Sequence, residues 1–481
     1  MLVSKKKFYT ICIMVLLIVI QGIIVSCIQS ERWHLISDQK LLIISNVCVV
    51  SFLIEIFLWW RMTGELFSPY MVFLLVLFIF TCGQSIGWTI GIDMGSRDLW
   101  NRIDHGLNRT LLTQGLSYSM LSVSYFHLGA VVSCKTVTGK ESYEKWTKEE
   151  VFSAYKLLGK IMLVICIPAF IVKTAQDVIA VAAGGYNAYY TVNSAGNSIM
   201  SLISILTDYY QPCMLILLIA YRKEKVYRRL IVGAMLTDVV FSLYIGGRSG
   251  AVMTLLGILL AYHYFIKPFN LRQTLVIGLG SYVGIAFLNG LATIRGLSGR
   301  GFMDLLLAMS NSFSNVIGEF IGELGWTLTS ICWTINLVSN GGAHFRHGMS
   351  YIVSLISWIP SEIFGGRANH PVVIWGNLGD WLQTSLQMSY GPGYTMIAES
   401  FINFGWYGLI AMLVEGFIIA KIIAKVRRDN LQENILGSTF QIIVIMTIMK
   451  SLVRSSSSVA FRSVVFFLNY ICLFDYLFIS S

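Results

Sequence analysis

Between residues 295 and 400 the chain gathers Arg295, Arg300, Arg346 and Arg367 with His344, His347, His370, Glu362, Asp380 and Glu399. Arginine presents a planar fork of donors that grips phosphate or carboxylate in a bidentate way, whereas lysine acts as a point charge. No lysine occurs between Lys267 and Lys421. Guanidinium groups without ammonium groups point to an anionic ligand. Each of these polar residues fits a structural role when taken singly. As a set in one segment they are what an enzyme working at a membrane surface needs. No Asp-x-Asp pair occurs anywhere, nor any His-x-x-x-His or Cys/His cluster. The sequence therefore predicts no metal and no cofactor.

The elements that must position these residues follow from composition. Of 481 residues, 56% are apolar and only 12% charged, and the mean hydropathy is +0.69. A soluble domain is typically about 45–50% apolar and about 25% charged. So few charges cannot cover a water-soluble protein of this length, and lipid must surround most of it. The fold class predicted is an all-α polytopic membrane protein. Apolar runs near 8–29, 41–60, 68–90, 111–133, 153–172, 201–221, 230–246, 250–266, 273–294, 401–421, 437–453 and 461–479 make about twelve transmembrane helices. One large extracytoplasmic loop precedes the last three. The organisation is then 1–294, a membrane domain of about nine spans; 295–400, the loop with short helices; and 401–481, a C-terminal membrane domain of about three spans.

Lys5, Lys6 and Lys7 ahead of the apolar stretch Phe8–Ile28 resemble a secretion signal, and Ile24-Val25-Ser26-Cys27 fits a lipoprotein-type cleavage box. The stretch is long for a cleaved signal and many spans follow, so it reads as a signal anchor. The nine cysteines are scattered without a Cys-x-x-Cys pair, which indicates neither zinc nor a disulfide framework.

The net charge of +10 reflects anionic lipid rather than nucleic acid, because basic residues are retained on the cytoplasmic side of membrane proteins. With both termini cytoplasmic, lysine divides 14 inside to 3 outside and arginine 7 inside to 11 outside, from the 35 basic residues of the chain. Lysine follows the rule and arginine does not. Arginine therefore marks the outer face. Within the spans, Glu55, His127, Asp238, Glu415 and Asp475 are expensive in lipid and stand as functional candidates, with interhelical hydrogen bonding as the structural alternative. The helix bearing Asp238 leads out to Gly246-Gly247-Arg248-Ser249-Gly250, where glycines permit a tight turn. That places Arg248 at the outer membrane face, as a ligand residue or simply as part of a hairpin.

These residues carry a family resemblance. The Gly246–Gly250 hairpin, the large loop and the run His347-Gly348-Met349-Ser350-Tyr351 followed by Pro360 resemble the O-antigen and capsular polysaccharide polymerases of bacteria, the Wzy-type oligosaccharide repeat-unit polymerases. So do Gly393-Tyr394-Thr395-Met396-Ile397-Ala398-Glu399 leading to Asn403-Phe404-Gly405, and the aromatic segment Gly184–Tyr190. Such polymerases often have an Arg directly after the proline matched by Pro360, where this chain has Ser361. The resemblance implies a bacterial cytoplasmic-membrane glycosyltransferase that transfers a growing glycan from one undecaprenyl-diphosphate carrier onto the next lipid-linked repeat unit. A flippase and a chain-length regulator would be its partners. It implies diphosphate binding by Arg248, Arg295, Arg300, Arg367 and Arg346, and a proton acceptor among His347, Glu399 and Asp380. Trp375, Trp381, Tyr390 and Tyr394 would touch sugar rings or anchor the interface. An O-antigen ligase and a lipid-linked oligosaccharide flippase are the competing readings.

Overall fold

Small residues decide where the helices of this chain cross. In lipid there is no hydrophobic gain in bringing two helices together, so close backbone approach over Gly, Ala and Ser carries the packing. A computed structural model describes residues 5–30, 35–64, 68–101, 106–134, 148–194, 198–246, 248–294, 303, 307–308, 310, 313, 315–359, 361–366, 369–388, 391–423, 439, 442–444, 446 and 454–462. The described residues are mostly helical, with no strand among them. They form two units: 1–140, 318–427 and 447–472 in one; 141–317, 428–446 and 473–481 in the other.

The first unit opens with α1 (Lys5–Gln29), α2 (Ser37–Thr63), α3 (Pro69–Ile90) and α4 (Arg109–Ser133). Their ends obey local chemistry. Ser68 caps α3 by accepting from the Met71 amide at 3.2 Å ahead of Pro69, and Asn108 caps α4 by accepting from Leu111 at 2.8 Å. Gly64 and Gly91 close α2 and α3 in the left-handed conformation.

Helix α4 is the hub of this unit. It packs against α1, α2 and α3, and against α12 (Leu328–Ser339) and α16 (Gly408–Ile423). Its serines and glycines let it be buried on nearly every side. A side chain at Gly129 would overlap the Leu413 carbonyl, and one at Gly416 would overlap the Phe126 carbonyl. The two glycines thus license a single close crossing from both helices.

The first unit also contains α11 (Val316–Gly325), α13 (Met349–Ser354), α14 (Leu378–Ser385) and α15 (Met396–Phe404). Thr395 caps α15 by accepting from the Ala398 amide at 3.1 Å. The chain then turns through Gly405, at φ 59°, and continues as α16.

The second unit holds α5 (Lys148–Ser194), α6 (Ser198–Asp208), α7 (Tyr210–Ala220), α8 (Lys225–Ile245), α9 (Arg248–Ala261) and α10 (Leu271–Ile294). Gly246, at φ 97°, ends α8, and α9 starts two residues later at Arg248, whose backbone alone is described. Asp238 does not face lipid. Gln211 donates to its Oδ2 at 3.2 Å and to Thr254 Oγ1 at 2.7 Å, and Thr254 lies 3.3 Å from the carboxylate. It therefore joins α7, α8 and α9 as an interhelical knot.

Six of the described helical stretches are long and apolar enough to cross a membrane by length and composition: Lys5–Gln29, Ser37–Thr63, Pro69–Ile90, Phe152–Gly184, Leu202–Ala220 and Met396–Ile423. The chain is a multi-pass membrane protein. Against the twelve expected spans, α4 and α8 form but fall short of that apolarity, and Gly250–Ile266 and Leu275–Leu288 are shorter apolar helices. The expected spans at 437–453 and 461–479, with Asp475, lie largely outside the described residues.

The crossing of α4 and α16 yields a first prediction. Gly416→Ala should destabilise the detergent-solubilised protein by about 1–3 kcal/mol, the usual cost of overpacking, and lower its thermal midpoint. Gly278→Ala, where nothing lies within 4 Å of an added side chain, should not. Equal midpoints for both variants would refute the close crossing.

Candidate active site

A carboxylate buried in protein needs donors at both oxygens, and Glu399 has three. Ser350 Oγ donates to its Oε1 at 2.6 Å, Ser457 Oγ to the same oxygen at 2.7 Å, and the Ser457 amide to Oε2 at 2.6 Å. The residue is fully buried. Its helix starts at Met396 rather than near 401, because Thr395 supplies a cap, and this earlier start carries Glu399 from the loop into the first turn of α15.

Asn403, one turn further on, engages both its donors and its side-chain oxygen. Its amide nitrogen donates to Ser350 Oγ at 2.7 Å and to the Glu399 carbonyl at 2.8 Å, while its side-chain oxygen accepts from the Gly348 amide at 2.9 Å. The last carbonyls of a helix have no partner within it. Here the amides of Arg346 and His347 donate to the carbonyls of Ile402 and Asn403 at 2.9 and 3.1 Å. The segment 346–348 is thereby fixed along the end of α15. Reversing direction into α13 requires two consecutive left-handed residues, His347 at φ 50° and Gly348 at φ 85°. Histidine tolerates that region better than most residues with a side chain.

This frame divides the arginine–histidine pair. The side chain of Arg346 is turned inward: its guanidinium donates to the Trp375 carbonyl and lies 5.0 Å from the centroid of the Trp381 ring. Burial lowers the Arg346 pKa, while Tyr394 and the Glu399 carboxyl act in the opposite sense. His347 is exposed. Trp381 meets Tyr394 edge to face at 6.3 Å. Tyr394 is itself enclosed, with its hydroxyl 3.0 Å from Thr334 Oγ1 and its amide donating to the Arg454 carbonyl at 3.4 Å. Burial raises the Tyr394 phenol above its ordinary range. Tyr351 is raised as well, by burial and then by the Glu415 and Glu399 carboxyls, so both phenols stay protonated.

The structure thus brings Arg346, Trp381, Tyr394 and Glu399 together, with His347 at their edge. Trp375 contributes its carbonyl and leaves its indole 41% exposed. Asp380 is exposed on α14, where it accepts from Asn377 at 2.5 Å. His370 holds the loop instead. Its Nε2 lies 3.0 Å from the Ile359 carbonyl and its Nδ1 accepts from the Val372 amide at 3.1 Å. Arg295, Arg300, Arg367, Tyr390 and Pro360 lie outside the described residues, and nothing is described of the side chains of Arg248 and Glu362. Among the described residues no group of three His, Cys, Asp or Glu could hold a metal ion.

Three residues of this frame carry no role in the sequence reading: Ser350, Asn403 and Ser457. The first two sit inside motifs whose importance the sequence shows but whose geometry it does not. The signal for the third is Arg454-Ser455-Ser456-Ser457-Ser458, a polar run in a very short connection between apolar stretches. Ser456 and Ser458 both donate to the Gly376 carbonyl, at 2.8 and 3.3 Å.

Glu399→Ala would remove the acceptor of three donors, the buried Ser350 hydroxyl and the partly buried hydroxyl and amide of Ser457, at up to about 1–3 kcal/mol for the buried one and less for the others. Ser457→Ala removes one hydroxyl and retains the backbone amide. The thermal midpoint should therefore fall far more for Glu399→Ala than for Ser457→Ala, with protease cleavage appearing near 454–458 only in the former. Equal midpoints would show that the carboxylate does not tie these segments.

No curated protein and no solved structure matches the chain. A family model described as O-antigen polysaccharide polymerase Wzy matches residues 9–481. That match spans nearly the whole chain, including every segment from which the frame around Glu399 is built. The chain belongs to the Wzy family of O-antigen polysaccharide polymerases.

Proposed function

We propose that this polymerase joins oligosaccharide repeat units carried on undecaprenyl diphosphate into a surface polysaccharide. The reaction takes place at the outer face of the bacterial cytoplasmic membrane, with both termini of the chain in the cytoplasm. The observation that supports this reading best is the pair at 346 and 347. An arginine held in place by a carbonyl and an indole face is followed at once by an exposed histidine.

The chemistry needs little more. The acceptor hydroxyl attacks the anomeric carbon of the donor glycan, the bond from that carbon to the diphosphate oxygen breaks, and its electron pair leaves with the lipid diphosphate. His347 accepts the hydroxyl proton. As a positioned general base it contributes about 10²–10⁴-fold. The departing diphosphate gains negative charge, which fixed guanidinium groups stabilise at no cost in reorganisation. A guanidinium has five N–H donors, so the bond from Arg346 to Trp375 leaves others for an anion. Arg367, Arg248, Arg295 and Arg300 stand as further diphosphate ligands by residue type. Trp375 and Trp381 offer aromatic faces to sugar rings. Glu399, with both oxygens occupied, positions the loop rather than taking the proton. Tyr394 supports Trp381 from behind, and Asp380 is a second acceptor candidate. A flippase supplies the substrate and a chain-length regulator acts alongside.

Two experiments test this reading. In cells lacking the native gene, His347→Ala and Arg346→Lys should each leave single repeat units on the lipid, with polymer reduced at least about 100-fold. Full-length polymer in both variants would sink the assignment, and loss of all exported sugar in the deletion strain would indicate a flippase. Second, a cysteine placed at the exposed Phe345 should react with a membrane-impermeant thiol reagent on intact spheroplasts. Reaction only after permeabilisation would overturn the outer-face placement.

A further inference from the structure

The connection from α9 to α10 forms a groove unrelated to the frame around Glu399. Beyond Ala261 the helix widens into the turn Tyr262–Ile266, and the chain returns through 267–270. Two contacts hold this shape. His263 Nδ1 accepts from the Phe269 amide at 3.2 Å, and the Tyr262 and Phe269 rings lie parallel with centroids 5.8 Å apart. Ile258 and Leu259 from α9 and Val276 and Ile277 from α10 complete a cavity of about 390 Å³, a size typical of small-molecule sites. Beside it, the outer face of α10 is apolar and open: Leu275, Val276 and Leu279 are 66, 64 and 69% exposed.

Charge stands only at the mouth. Arg272 lines the groove and is exposed, and Lys267 is exposed in the connection leading to it. Neither makes an ion pair with a described residue. No Asp or Glu occurs between Asp238 and Asp304, so this part of the chain holds no carboxylate to balance the two cations. An occupant must therefore combine a long apolar body with a negative head. A second copy of the chain related by twofold symmetry fits poorly, since it would set Arg272 against Arg272.

We propose that this groove binds an anionic phospholipid of the surrounding bilayer. One acyl chain lies between α9 and α10, and the phosphate sits at Arg272 and Lys267. Bilayer charge of this kind attracts basic residues at the membrane surface. The groove is built on the last turn of α9, whereas Arg248 begins that helix, a separation of about 20 Å at 1.5 Å per residue. The bound lipid thus belongs to the leaflet opposite the Gly246–Gly250 hairpin, and the assignment does not rest on the polymerase mechanism.

The test uses the full chain in phosphatidylcholine nanodiscs doped with either phosphatidylglycerol or phosphatidylcholine carrying a photoreactive diazirine on one acyl chain, followed by peptide mapping. The phosphatidylglycerol probe should label residues 258–277, and unlabelled phosphatidylglycerol should compete while inorganic phosphate does not. Arg272→Gln should reduce labelling roughly fivefold, and Val276→Trp, which fills the groove, should abolish it while label elsewhere on the chain is unchanged. Three results would each overturn the proposal: equal labelling by both probes, labelling intact in both variants, or competition by inorganic phosphate.

Discussion

A carboxylate enclosed by protein is stabilised when donors meet its oxygens, and the frame around Glu399 is organised in that way. Glu399 sits in the first turn of α15 and draws its donors from two distant stretches, Ser350 at the start of α13 and Ser457 in the connection that follows residue 453. Three separate pieces of chain are therefore held to one point. Asn403 extends the same bonding by one helical turn and fixes the backbone of Gly348. The backbone of Arg346 and His347 is then fixed, since their amides complete the end of α15. The exposed imidazole is placed by a buried acid that need not touch a substrate.

That arrangement is in turn only as rigid as α15, which depends on α4. Tyr118 of α4 places its hydroxyl 2.8 Å from Ser400 Oγ, and Ser330 of α12 lies 3.2 Å from the capping Thr395. Helix α16 continues from α15 through Gly405 and meets α4 at the Gly129 and Gly416 crossing. The serines and glycines that lower the apolarity of α4 are the residues that let it lie at the centre. For α4 low apolarity goes with burial among other helices, whereas the more apolar α1 leaves many of its side chains exposed.

The same physics explains what was legible beforehand. Long apolar runs announce α1, α2 and α3 to within a few residues, because a lipid-facing helix must be apolar over most of its surface. The start of α15 is misjudged by about five residues because hydropathy is blind to a threonine cap. The loop residues were visible as a set, through the arginines and histidines at 344–370, but residue type alone could not separate His370, which braces a turn, from His347, which faces out. Ser457 was out of reach. Its role depends on a contact 58 positions away, and a serine run has no chemistry of its own until a buried carboxylate is set against it.

Arg346 shows that the excess of arginine over lysine in this region has a structural basis. A lysine at that position would present a compact ammonium ion with no planar group to lay against an aromatic face. The guanidinium can donate in its plane to the Trp375 carbonyl while its face rests on Trp381, and it is more weakly hydrated, so partial burial costs it less. The geometry that holds the cation still also leaves in-plane donors at fixed angles. A group fixed in this way can stabilise charge that appears only during a reaction, because it has nothing left to reorganise when that charge arrives.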